Sequence, residues 1–259
     1  MYYGIRSYRG RMHVVLRPNL LQNPAGSRTV TVCHPGVANI AQHSNWPNIR
    51  NTLQAMAVRL FAATHGNVFI KTINMKYDPG TGGDKWCSSI SGCDYCMPHP
   101  SVEPGDFCGM QAQTPGRVRI PHASCEQNGG GGCGCGTGYT STTLLSRTLL
   151  HESLHGLFGL PNEYDNAAFC AHSVMNGPAN NEHRLCLALD HCKDATGTPP
   201  PGFDCSGSTG NMWYRVQTGP NASWFYDFPP QGSSHPTAQI WATGFTNTWV
   251  KNLVEFTFQ

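Results

Sequence analysis

Residues 141–165 read STTLLSRTLLHESLHGLFGLPNEYD, a segment in which helix start, apolar spacing and helix stop are all legible. Ser141, Thr142 or Thr143 can cap a helix. Leu150, Leu154 and Leu157 then recur at three- and four-residue spacing as a core-facing stripe. Gly159 is placed to end the helix in a left-handed conformation, and Pro161 prevents its continuation. The chain must therefore turn back, presenting Asn162, Glu163, Tyr164 and Asp165. His151 and His155 lie one helical turn apart on a face adjoining the apolar stripe.

Upstream, MHVVL and RTVTVC carry β-branched residues with partial alternation across a Pro/Gly-containing turn, and are expected to pair as strands. Next, NWPNIRNTLQAMAVRLFAATHG has Ser44 or Asn45 as N-cap, Pro47 in the first turn, and Ile49, Leu53, Met56, Ala57 and Leu60 at helical spacing, with Gly66 as the stop. NVFIKTINMKY alternates as a strand, so the first third reads as the start of a mixed α/β layer. Residues 78–116 are rich in Pro, Gly and Cys without a sustained period, and read as a disulfide-pinned excursion. GRVRIP follows as a short strand whose exposed edge is expected to suit an extended peptide. Past 197 the chain is loop-rich until Trp241, Phe245, Trp249, Leu253 and Phe256, whose spacing predicts a closing amphipathic helix.

The 259 residues suffice for a sizeable core and read as a single unit, 1–259, with an upper lobe over about 1–160 and a lower lobe over about 161–259. A net charge of +2 on scattered basic residues argues against a nucleic-acid or membrane-surface partner. Twelve cysteines between Cys33 and Cys205, with 29 glycines and 19 prolines, point to loops stapled by disulfides and hence to an oxidising, extracellular compartment. No apolar run reaches the roughly 20 residues of a membrane span. MYYGIRSYRGRMHVVL lacks the apolar core of a signal peptide, so a mature chain without its leader is expected.

Two histidines one turn apart supply two ligands to a catalytic zinc ion, which needs three and one open position for water. Glu152 beside them is the expected acid–base group, taking a proton from that water and returning it to a leaving amine. Glu163 is the expected third ligand, with Asp165 as its local substitute and Glu182 or His172 as the rivals from farther along the chain. The metal set is thus read as His151, His155 and Glu163 holding Zn2+, with Glu152 catalytic.

HESLHGLFGLPNEY resembles the extended zinc motif of metzincin-type zincin peptidases, and SVMNG at 173–177 resembles their Met-turn. The Gly-Leu-x-x-Glu-Tyr ending is closer to bacterial immunoglobulin-A-peptidase-like zinc peptidases than to metzincins with a third histidine. The resemblance covers about 149–177 and departs from the family pattern in the position of Gly159, which stands one residue late, and in Asn162 where an acid is usual. It implies an α+β, two-lobed metzincin-like catalytic domain with a mixed twisted sheet, an active-site helix, a C-terminal helix and disulfide-rich loops. It also implies that Met175 floors the metal. A transition-state hydrogen-bond donor stays open among Tyr139, Tyr164, His172 and His183.

The expectation is therefore a secreted, monomeric zinc metalloendopeptidase acting on a protein or peptide substrate. The alternative is an inactive zincin-fold binding or adhesion module with structural zinc. Cys87, Cys93, Cys96 and Cys108, with His99, are expected in disulfides rather than in a second zinc site. Cys133 and Cys135 are too close to pair with each other, and Cys33 reads as an ordinary disulfide cysteine. Asn221-Ala222-Ser223 fits an N-glycosylation acceptor.

Overall fold

Strands β3 (Ser27–Pro35) and β4 (Phe69–Asp78) flank helix α1 (Trp46–Ala63). A strand, a helix and a returning strand form a crossover, which makes the two strands parallel. They pair from Ser27 with Phe69 to Pro35 with Asp78, with one register shift between Arg28 and Thr29. The structure is a computed structural model, and it describes residues 4–8, 11–15, 27–43, 46–64, 68–79, 87–97, 111–113, 116–120, 125–128, 132–135, 142–160, 174–176, 185, 216, 219–224 and 251–259.

Among the described residues four further strands join the main sheet: β5 (Tyr95–Cys96), β6 (Gln111–Ala112), β7 (Val118–Arg119) and β10 (Glu255–Phe258). The order is β10-β4-β3-β5-β7-β6. β10, β4, β3, β5 and β7 run parallel, and β6 lies antiparallel against β7 at the edge. Two hairpins stand outside this sheet, one of β1 (Gly4–Tyr8) with β2 (Arg11–Val15) and one of β8 (Cys125–Asn128) with β9 (Gly132–Cys135).

The period-2 alternation of the strands sorts their side chains onto two faces. Val30, Val32, Ile73, Met75, Tyr95 and Val118 join one buried cluster with Leu53, Met56 and Leu60 of α1 and with Leu149, Leu150 and Leu154 of helix α2 (Thr142–Phe158). Both helices therefore pack on one face of the sheet. On the other face Cys33 and Cys96 belong to a small cluster with Cys87, Ile90 and Cys93. Disulfides Cys33–Cys93 and Cys87–Cys96 close it. Arg117 ties it to the sheet, its guanidinium donating to the carbonyls of Cys87 and Ile90.

Several expectations are corrected. Among the described residues the α+β, two-lobed, mixed-sheet metzincin architecture gives way to an α/β layer of five parallel strands carrying one antiparallel edge strand, with two helices on one face. The physical reason is the crossover through α1, which a helix of 18 residues between β3 and β4 imposes. MHVVL and RTVTVC are both strand segments, yet β2 pairs with β1 while β3 pairs with β4 and β5. GRVRIP is an inner strand, and among the described strands β6 takes the edge. The tail closes with β10 beside β4, so Phe256 is a strand residue rather than a helical one; residues 241–250 lie outside the described residues.

No helix among the described residues is long and apolar enough to cross a membrane.

Candidate functional site

Helix α2 reaches the sheet at its C-terminal half, where two anchors set its depth. The Tyr95 hydroxyl, rising from β5, donates to Ser153 Oγ at 3.0 Å, and Ser153 Oγ donates to the Leu149 carbonyl at 2.5 Å. Complete burial pushes the Tyr95 phenol up, so it stays a neutral donor. One turn later Gly156 meets the loop between β6 and β7, where the Gly116 N–H donates to the Gly156 carbonyl at 3.0 Å. A Cβ at Gly156 would lie 2.6 Å from Val118 Cγ2 and 2.9 Å from the Gly116 oxygen, so only glycine permits this approach.

The helix then stops as its sequence requires. Gly159 adopts φ +66° and its N–H donates to the His155 carbonyl at 2.9 Å, the left-handed C-cap arrangement.

Beside these anchors stand His151, 3% exposed, and His155, 7% exposed. Their rings are nearly perpendicular, 88° apart, with centroids 4.6 Å from each other. Nδ1 of His151 lies 2.9 Å from the Val174 carbonyl, and Nδ1 of His155 bonds the Leu160 carbonyl. A carbonyl can only accept, so both Nδ1 atoms carry a proton, and the position left to accept on each ring is Nε2. Those two Nε2 atoms face each other at 3.1 Å. At that distance the two acceptor positions converge on one point.

Glu152 is half-buried and turned toward the sheet edge. Burial pushes its carboxyl up to about 7, while a hydrogen bond from the Ala112 backbone pulls the other way. Ala112 lies opposite Val118, whose own N–H points away to the Asp94 carbonyl, whereas Gln113 donates back to Arg117 across the β6–β7 turn. Ala112 and Val118 thus form a non-hydrogen-bonded pair, and both the N–H and the C=O of Ala112 face away from β7. Its N–H meets Glu152, so the carboxylate sits on the outer side of the edge strand.

The structure brings His151, Glu152 and His155 to one helical turn. Glu163, the expected third ligand, lies outside the described residues, as do Asp165, His172, Glu182, Tyr139, Tyr164 and His183. Met175 is fully buried in the 3-10 turn Val174–Asn176, whose Val174 carbonyl orients His151; it is a core residue. Cys33, Cys87, Cys93 and Cys96 are all in disulfides. Two participants went unread in the sequence. Ala112 acts through its backbone, which no residue type announces, and Asn221 was read as a glycan acceptor although its side-chain amide donates to the Leu157 carbonyl at 2.7 Å.

The zinc centre is corrected. Among the described residues no three His, Cys, Asp or Glu side chains form a group able to hold a metal ion. Two imidazole nitrogens converge, and Glu163, the expected third ligand, lies outside the described residues. These residues do not make up the three-ligand set that a catalytic Zn2+ requires. The zinc metalloendopeptidase reading, its inactive structural-zinc alternative and the assignment of Zn2+ as cofactor are withdrawn with it, as is the metzincin resemblance, which the parallel sheet also contradicts. No protein-family model, characterised protein or solved structure matches the chain at a significant level.

Proposed function

We propose that the chain binds an extended peptide segment along the outer side of β6, with Glu152 and the His151–His155 pair as acid–base groups at the floor of that site. The observation that carries this reading is the orientation of Ala112. Its N–H and C=O both face outward, and Glu152 is held at the same edge by that N–H. A peptide strand adding there places an amide N–H on the Ala112 carbonyl, next to a carboxyl group that exchanges its proton near neutral pH. The imidazole pair, on the same turn of α2, adds two facing ring nitrogens beside that carboxyl group. Chemically the site can accept a proton from, or return one to, a bound amide or hydroxyl.

The disulfides Cys33–Cys93 and Cys87–Cys96 support placing this activity outside the cytosol, where such bonds persist.

The test is fluorescence anisotropy with fluorescein-labelled randomised octapeptides and the same peptides N-methylated along the backbone. Saturable binding that N-methylation abolishes is the expected result, because an N-methyl amide has no hydrogen to give the Ala112 carbonyl. Equal binding of both probes, or none of either, would contradict strand addition.

A further inference from the structure

We infer that Asn221 is a positioning residue for His155, acting through the last turn of α2. This rests on reading the His151–Glu152–His155 turn as a ligand site. The final carbonyls of a helix have no intrahelical donor and must find one elsewhere. Here the His155 carbonyl takes the Gly159 N–H at 2.9 Å and the Gly156 carbonyl takes the Gly116 N–H at 3.0 Å. The Leu157 carbonyl takes the side-chain amide of Asn221 at 2.7 Å, from 64 residues away in sequence.

Asn221 is built for that reach. It holds φ +57°, a left-handed conformation that Asn tolerates better than most residues. Its carbonyl accepts the Trp224 N–H at 2.8 Å, closing a 3-10 turn over Ala222–Trp224. The turn is fastened on two sides. Arg28 of β3 donates to the Ser223 carbonyl at 2.6 Å and lies 5.8 Å from the Trp224 ring centroid. Trp224 meets Phe158, the last helical residue, edge to face at 5.7 Å.

His155 depends on the same helix end. Its Nδ1–H donates to the Leu160 carbonyl, one residue beyond Gly159, and that bond sets both the tautomer and the ring plane that aims Nε2 at His151. Asn221 holds the Leu157 carbonyl, the turn holds Phe158, and Leu160 follows after Gly159. Losing the amide loosens the segment that carries His155's acceptor, leaving it the Gly159 and Leu160 N–H bonds to the His155 and Leu154 carbonyls at 2.9 and 3.2 Å, while the Val174 acceptor of His151 stays in place. Asn221-Ala222-Ser223 thus has a use for its asparagine that is independent of any glycan.

The experiment is 15N NMR of histidine-labelled full-length protein without ligand, on wild type, Asn221→Gly, Asn221→Asp and Ser223→Ala. Glycine keeps the positive φ and removes the amide; aspartate keeps the shape and places an acceptor against an acceptor; Ser223→Ala destroys the glycosylation pattern and keeps the cap. The expected result is a single Nδ1-protonated His155 in wild type and Ser223→Ala, and a tautomer-averaged His155 in both Asn221 variants. His151 keeps its Nδ1 proton throughout. Amide exchange at Gly159 should quicken by about fivefold in the Asn221 variants. An unchanged His155 signature in a folded Asn221→Gly protein overturns the proposal. So does global unfolding of both Asn221 variants, which would make the turn a general staple. The readout needs no peptide, so it succeeds or fails independently of the binding test above.

Discussion

Nε2 of His151 and Nε2 of His155 stand 3.1 Å apart, each ring having given its other nitrogen to a backbone carbonyl. The relationship is over-determined: the helix fixes the one-turn spacing, and the carbonyls of Val174 and Leu160 fix the tautomers. Replacing either ring therefore removes more than its own packing.

A double-mutant cycle on His151→Ala and His155→Ala, followed by chemical denaturation, should show a coupling energy of about 0.5–3 kcal/mol. Additive losses would mean that the two nitrogens do not interact in solution.

The Glu152 carboxyl is raised from about 4.5 to about 7 by burial. The fold therefore penalises its charged form. At pH below the unfolded value there is no penalty; stability falls as pH rises between about 4.5 and 7, and above that window the full cost of about 3 kcal/mol stands. Glu152→Gln keeps an acceptor for the Ala112 N–H and removes the charge. Denaturation midpoints should show the variant more stable than wild type at pH 8 and equal to it at pH 4. Parallel pH profiles would place the ordinary carboxylate value on Glu152.

Gly156→Ala drives a methyl into Val118 Cγ2 and the Gly116 carbonyl. We expect a loss of about 1–3 kcal/mol in urea denaturation, with histidine NMR signals displaced because α2 must lift from β7. A stability within experimental error of wild type would show that the helix does not approach the sheet this closely.

The two disulfides close loops of very different size, with sequence separations of 60 for Cys33–Cys93 and 9 for Cys87–Cys96. On chain-entropy grounds, removing the first pair by double Cys→Ala substitution should cost about 4 kcal/mol and removing the second about 3 kcal/mol. Calorimetry of the two double variants checks the order, and a reversed order would show that packing of the small cluster outweighs loop closure.

The legible parts of the fold were those with local periodicity. Ile49, Leu53, Met56, Ala57 and Leu60 mark the buried face of α1, and Leu150, Leu154 and Leu157 that of α2; all are buried, and Gly159 takes the left-handed cap its position implied. The sheet was not legible because its decisive strands are too short. β5, β6 and β7 have two residues each and sit among cysteines and glycines, where a period of two cannot be read. Partner choice also escapes local reading: the β-branched alternation of RTVTVC marks a strand equally well whether its neighbour is β2 or β4. At the site, the spacing of His151, Glu152 and His155 implied one helical turn, and α2 holds all three on it. The edge strand beside it contributes backbone atoms of Ala112, which leave no trace in residue type.

The most direct measurement is an amide-resolved NMR titration of the full chain with the randomised octapeptides. Strand addition at β6 predicts shifts concentrated at Gln111, Ala112 and Gln113 and along the 151–155 turn. Shifts confined to β10 at the opposite edge of the sheet, or absent from both regions at saturating peptide, would contradict the proposed site.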